Sequence, residues 1–194
     1  GEARRRRKKA GAPEPHLISV DQKGKAAGPN GKNSQDDKRE DDMAEEHVKE
    51  LTQDEAAELA RIEGSKLALE GVVDDLSSAS RRKRQLSAHV IALLVSRKPD
   101  MVAPFIPDLL DALERPEAQT RWEALDALAL LAPEHAKECS GAYDGAEAAL
   151  FDEDSAPLRL SAFHFLTAWG STERRRSEKV WPILDEAIQC FHGD

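Results

Sequence analysis

The residues with the strongest capacity for chemistry in this 194-residue chain are six histidines and two cysteines. A zinc hydrolase presents two imidazoles on one helix face, as in H-E-x-x-H. No two of His16, His47, His89, His135, His164 and His192 share a helix at that spacing. His164 lies between Phe163 and Phe165 and reads as a packed or boundary histidine. Cys139 and Cys190 lack metal-ligand spacing and do not make a disulfide framework, so the expectation is a reduced, cytoplasmic protein. Phosphate-cradling G-x-x-x-x-G-K-[ST] and G-x-G-x-x-G loops are absent, and so is the G-x-S-x-G nucleophile turn. Ser80 and Ser87 stand near basic residues without His and Asp partners at useful spacing. The expectation is no catalytic residues, no metal and no cofactor.

Charge offers more. Residues 1–50 hold 12 Lys/Arg and 11 Asp/Glu, which leaves 16 and 26 for residues 51–194, a net charge of −10. An acidic fold repels phosphate backbones. Against that background stand two basic clusters, Arg81-Arg82-Lys83-Arg84 and Arg174-Arg175-Arg176, and an N-terminal tract, Arg4 to Lys9. Each internal cluster opens a helix, the unfavourable end for cations, so Arg81, Arg82, Lys83, Arg174, Arg175 and Arg176 are the candidates for nucleic-acid binding.

The elements that position these groups are helices. Residues 1–45 show no 2.0 or 3.6 period and too little apolar surface to offset ordering entropy, so they read as a disordered charged tail. His16-Leu17-Ile18-Ser19-Val20 is its one apolar island, a solvated stretch or a short docking motif. The folded domain is read as residues 46–194, with order from Leu51, where Thr52 and Glu55 fit a capping box. Helical spacing then runs to Leu76, as one helix or as two broken near Gly64-Ser65. Further helices are predicted over Arg81–Arg97, Pro104–Glu114, Glu117–Leu131, His135–Phe151, Ala156–Trp169 and Glu173–Phe191, with Gly170 as a helix-ending glycine. No stretch alternates as a strand, no apolar run could span a bilayer, and no secretory signal is visible at the start. The apolar end at Cys190-Phe191 leaves the expectation of further chain beyond Asp194.

These helices repeat. Arg84, Arg121 and Arg159 fall at steps of 37 and 38. Three residues on from each come the small residues Ser87, Ala124 and Ala162; seven on come Ile91, Leu128 and Leu166; ten on come Leu94, Leu131 and Trp169. Leu76, Leu113 and Leu150 are 37 apart, preceded by Leu69, Ile106 and Tyr143, and Phe191 takes the place of Leu113 when Pro182 is set on Pro104. Two helices in about 37 residues is the period of stacked antiparallel helix pairs. The arginines are expected to pack their stems between layers and to satisfy carbonyls or acids there.

Over 81–191, with a half-unit before it, the pattern R-x-x-[small]-x-x-[A/V/F]-[L/I] resembles HEAT repeats, the armadillo-type helical repeats. The resemblance implies an all-α, right-handed superhelix of about three helix pairs after an N-terminal helix, acting as a protein-binding scaffold. It departs from the family where an Asp usually stands six residues before each Arg: Ser78, Arg115 and Glu153 occupy those places. One HEAT-like enzyme type, deoxyhypusine hydroxylase, uses His-Glu dipeptides as iron ligands, and no histidine here precedes a glutamate. HEAT-like DNA glycosylases use a basic groove, whereas the second helices here are acidic.

Second helices line the concave side in that family, which directs attention to their polar faces. Asp111 points about 160° from Leu113 at 100° per residue. Asp74 holds the same place one repeat earlier, Ala148 breaks the row one repeat later, and Asp144 one turn away stands in for it. Asp108 and Glu186 are expected to face outward and Glu147 to lie at the edge of the packed face. Asp74, Asp108, Asp111, Asp144 and Glu147 thus form an irregular acidic strip, either a solvated face or a surface for a basic peptide or protein. Trp122 and Trp181 fall on helix flanks, as candidate contact residues or as packing under a neighbouring repeat, while Trp169 holds a core position. The expected function is a non-enzymatic protein-binding scaffold; the alternative is nucleic-acid binding through the basic clusters and tail.

Overall fold

The computed structural model describes residues 51–192. The sequence-based expectations for the N-terminal tail, its basic tract and the island at 16–20 lie outside the described residues. Thr52 begins one compact unit, and residues 11–51 are assigned to another. Among the described residues the only regular structure is helix.

Helix α1 spans Gln53–Glu63. The backbone N–H of Glu55 donates to Thr52 Oγ1 at 3.2 Å, and that of Thr52 donates to Glu55 Oε2 at 2.8 Å, so the capping box forms. Such caps contribute about 1 kcal/mol each. Gly64 closes α1, and Ser65 caps α2 (Lys66–Asp74), resolving the first helical stretch into two. A single 3₁₀ turn, Asp75–Ser77, leads to α3 (Arg81–Arg97), capped by Ser80.

Two predicted helices are shorter than their periodicity implies. Over 99–112 the chain forms a four-residue helix α4 (Pro99–Val102), a 3₁₀ turn Ala103–Phe105 and α5 (Ile106–Ala112). Pro104 has no N–H to donate, so the hydrogen-bond ladder changes pitch around it. After α6 (Ala118–Leu131), the segment Glu138–Ala142 is 3₁₀, and the α-helix proper, α7, covers only Tyr143–Leu150. The chain ends with α8 (Ala156–Gly170), capped by Ser155, and α9 (Arg174–Cys190), which runs through Pro182 at an exposed position.

Gly170 does not end α8 in the left-handed conformation; it is the last residue of the helix and Ser171, at φ −71°, is the cap. The glycine is needed for close approach: a Cβ there would stand 2.4 Å from Val180 Cγ2 of α9.

The long helices α3, α6 and α8 pack on one another in series, and α1 packs beside α3. The short elements make a second series: the 75–77 turn meets α5, and α5 meets the 138–142 turn that leads into α7. The core lies between the series. Every repeat residue at the three-, seven- and ten-residue steps is buried, from Ser87, Ile91 and Leu94 to Ala162, Leu166 and Trp169. The small residues let neighbours close in: Ser87 donates its hydroxyl to the Val72 carbonyl of α2. Each fully buried leucine contributes about 1.5–3 kcal/mol.

Candidate binding surface

The conserved spacing of the arginines has a structural cause. Arg84 forms a bidentate ion pair with Glu117, the residue that caps α6, and donates to the Ser78 carbonyl at 2.7 Å. Arg121 approaches Asp152 at 3.9 Å, and Arg159 donates to the Asp152 carbonyl at 3.0 Å. The acids that meet the first two arginines come from the start of the next layer, not from six residues upstream. Glu117 is nearly sealed from solvent, and the Arg84 guanidinium holds its carboxyl below the usual glutamate range. A paired charge of this kind ties layers together and is not available to a ligand.

A second cross-layer link lies on the same row. His89 of α3 sits between two carboxylates, with Nε2 2.7 Å from Glu55 of α1 and Nδ1 2.9 Å from Glu123 of α6. Partial burial lowers the imidazole pKa, but the two carboxylates outweigh it and the net shift is upward. The hydrogen bond from His89 and those from Thr52 draw Glu55 down to about 2. Sequence reasoning considered His89 only as a metal ligand and missed this role. The available signal was the spacing: Glu55, His89 and Glu123 are 34 residues apart in each step. One layer further, Asp126 hydrogen-bonds Ser161, while burial first and the Glu123 charge second raise its pKa.

The short-helix series is different. Asp74 and Asp111 are exposed, and Asp108 is half-buried where it was expected to face outward. Desolvation raises the Asp108 pKa, and the charges of Asp111 and Asp74 raise it further. Like charges on α2 and α5 are therefore close enough to act on one carboxyl. Gly141 and Gly145 fix how the next short helix approaches: a Cβ on Gly141 would lie 2.9 Å from Leu110 Cδ1, and one on Gly145 3.3 Å from Leu113 Cδ1. That contact carries Asp144, exposed, and Glu147, half-buried, into the layer beside α5. Glu186 on α9 is half-buried rather than outward.

The tryptophans separate. Trp181 is 68% exposed, Trp122 is half-buried, and Trp169 is buried with its indole N–H donating to the Ala136 carbonyl at 2.9 Å. The basic clusters are not brought together. Arg81, Arg82 and Lys83 are exposed at the N-terminal end of α3, with Lys83 3.6 Å from Asp75. Arg176 lies over the Trp169 ring near the C-terminal end of α8, two long helices away. Arg174 pairs with Glu178 at 2.7 Å, and Arg175 is exposed. The long helices run side by side in the same sense, as the Arg84–Glu117 and His89–Glu123 links require. The clusters consequently sit toward opposite ends of the row, and α8 alone, at about 1.5 Å per residue, is longer than 20 Å.

Cys139 is buried, and desolvation pushes its thiol up to about 12, so no thiolate forms near neutral pH. Among the described residues, no three His, Cys, Asp or Glu side chains are grouped to hold a metal ion, and no helix is long and apolar enough to cross a membrane. Comparison with family models, curated proteins and solved structures gave no match.

Proposed function

We propose that residues 51–192 act as a HEAT-like, armadillo-type solenoid, a right-handed stack of about three helix pairs after an N-terminal pair. In this reading the chain is a non-enzymatic, cytoplasmic protein-binding scaffold that takes a basic segment of a partner protein along its short helices. The observation that carries it is the grouping of Asp74, Asp108 and Asp111, whose mutual repulsion is left without a cross-layer cation while the long-helix charges are matched. A lysine- or arginine-rich strand laid across α2 and α5 would relieve that repulsion. Asp144, Glu147, Trp122 and Trp181 are its secondary contacts. The separation of Arg81–Arg84 from Arg174–Arg176 weighs against a nucleic-acid surface, which would use both clusters at once.

The test is fluorescence anisotropy with a labelled lysine/arginine-rich peptide against the full chain. Binding is expected to weaken with added salt, and Asp74→Lys with Asp111→Lys should reduce affinity by at least about tenfold, since each new cation replaces attraction with repulsion. Unchanged affinity in that double variant would reduce the strip to a solvated face.

A further inference from the structure

Inside the unit, one short helix presents knobs and the next presents a slot. Leu110 and Leu113 of α5 lie against Gly141 and Gly145, which have no side chain to obstruct them. The same two places recur at the ends of the array. On α9, Ile188 and Phe191 stand where α5 has Leu110 and Leu113. Ile188 is 53% exposed, and with Leu160 (57% exposed) and Phe163 of α8 it lines an open, mostly apolar groove. Phe163 holds the place of Ala88 and Leu125, which are 1% and 0% exposed because the next layer covers them. The α8–α9 face is therefore an interlayer face with no layer on it among the described residues.

At the other end the slot is open. Gly71 of α2 precedes Gly145 by two repeats, and a Cβ on it would meet nothing within 4 Å. Leu67, one turn before, holds the place of Gly141 and is 79% exposed; Leu86 of α3 borders the same groove at 60%. The acids at its rim are matched locally, Glu58 by Arg61 at 2.6 Å and Asp75 by Lys83, so apolar contact dominates there.

We propose that these end faces recognise each other, so that copies of this chain associate head to tail, with Ile188 and Phe191 of one copy seated over Leu67 and Gly71 of the next. A second copy is the favoured occupant because the chain carries both halves of the contact in the register that stacks its own layers. Such a contact is heterologous: each copy retains one free end, so assembly proceeds by addition and rises with concentration. The inference rests on the repeat stacking and not on the acidic strip.

Sedimentation velocity on the full chain tests it, with two variants built at exposed positions: Leu67→Asp/Leu86→Asp at one face and Leu160→Asp/Ile188→Asp at the other. The wild type is expected to show a concentration-dependent series beyond the monomer. Each variant alone should be monomeric, and an equimolar mixture should give a 1:1 dimer and nothing larger, since each supplies the intact face the other lacks. Formation of that dimer also establishes that both variants fold. A wild type that remains monomeric at millimolar concentration overturns the proposal. So does a single variant that dimerises alone, which would mean a face pairing with itself, or a mixture that stays monomeric. Binding of the basic peptide by the monomeric variants separates failure here from failure of the scaffold reading.

Discussion

Two rows of helices in this unit treat charge in opposite ways. On the long helices, α3, α6 and α8, charged side chains are matched across layers: Arg84 by Glu117, His89 by Glu55 and Glu123, Arg121 by Asp152. On the short helices, Asp74, Asp108 and Asp111 act on one another as like charges. The first arrangement lowers the energy of the folded state. The second raises it, and the protein retains it. Charges that work against folding are the ones to examine for binding, because a ligand of opposite sign recovers what folding gives up. Charges that support folding are already engaged.

The comparison can be broken most forcefully at Glu117. Replacing it with Ala leaves the Arg84 guanidinium between layers without its carboxylate, and removing one partner of an enclosed pair costs far more than the pair contributes. Thermal unfolding of Glu117→Ala is expected roughly 10 °C below wild type. A change within about 2 °C would mean that the Arg–acid links do not tie the layers.

A smaller effect is expected from pH at His89. Its folded pKa lies above the ordinary 6.5, so its contribution is fully present below 6.5 and is lost as pH rises through the folded value. Glu55 has the opposite sign: its contribution is present above 4.5 and is lost as pH falls toward about 2. The α1–α3–α6 link is thus strongest between those limits. Amide-exchange protection factors in α1 are expected to fall between about pH 6 and 8, as the imidazole loses its proton. In His89→Gln the dependence should disappear; its persistence would remove the imidazole from the link.

The smallest effect belongs to the strip, and its sign is reversed. Asp108 has a raised pKa, so its ionised form disfavours folding, and the penalty fades as pH falls through that value. Asp111→Asn removes one of the repelling charges and is expected to leave stability unchanged or to raise it by up to about 0.5 kcal/mol by urea denaturation. A clear loss of stability in Asp111→Asn would mean that the two rows do not differ in the way described.

Much of the architecture was legible in the residues. The capping box at Thr52, the break at Gly64-Ser65 and the full extent of α3 follow from local chemistry that acts within four residues. The small and large repeat residues were legible because burial on a helix recurs with a fixed period. Where the reading failed, the cause was a partner distant in sequence. Gly170 looks like a helix-ending glycine until Val180 of α9 is seen against it. The segment from His135 looks continuously helical, but the approach of Leu110 to Gly141 accompanies a 3₁₀ stretch there. Asp108 looks exposed on its own wheel, and neighbouring layers half-bury it.

The sequence by itself determined that residues 51–192 form helices, where most of them start, which faces are apolar and that the unit is acidic. Those properties arise from propensity, capping and periodicity, which are interactions between near neighbours on the chain. Only the tertiary structure decided which charges meet: that Arg84 finds Glu117, that His89 lies between Glu55 and Glu123, and that Asp74 and Asp111 act on Asp108. These contacts are separated by about one repeat, and their partners depend on how far one helix slides past the next. That register is set by glycine slots and leucine knobs packing at van der Waals distance, a sum of many weak contacts that no single stretch of sequence contains.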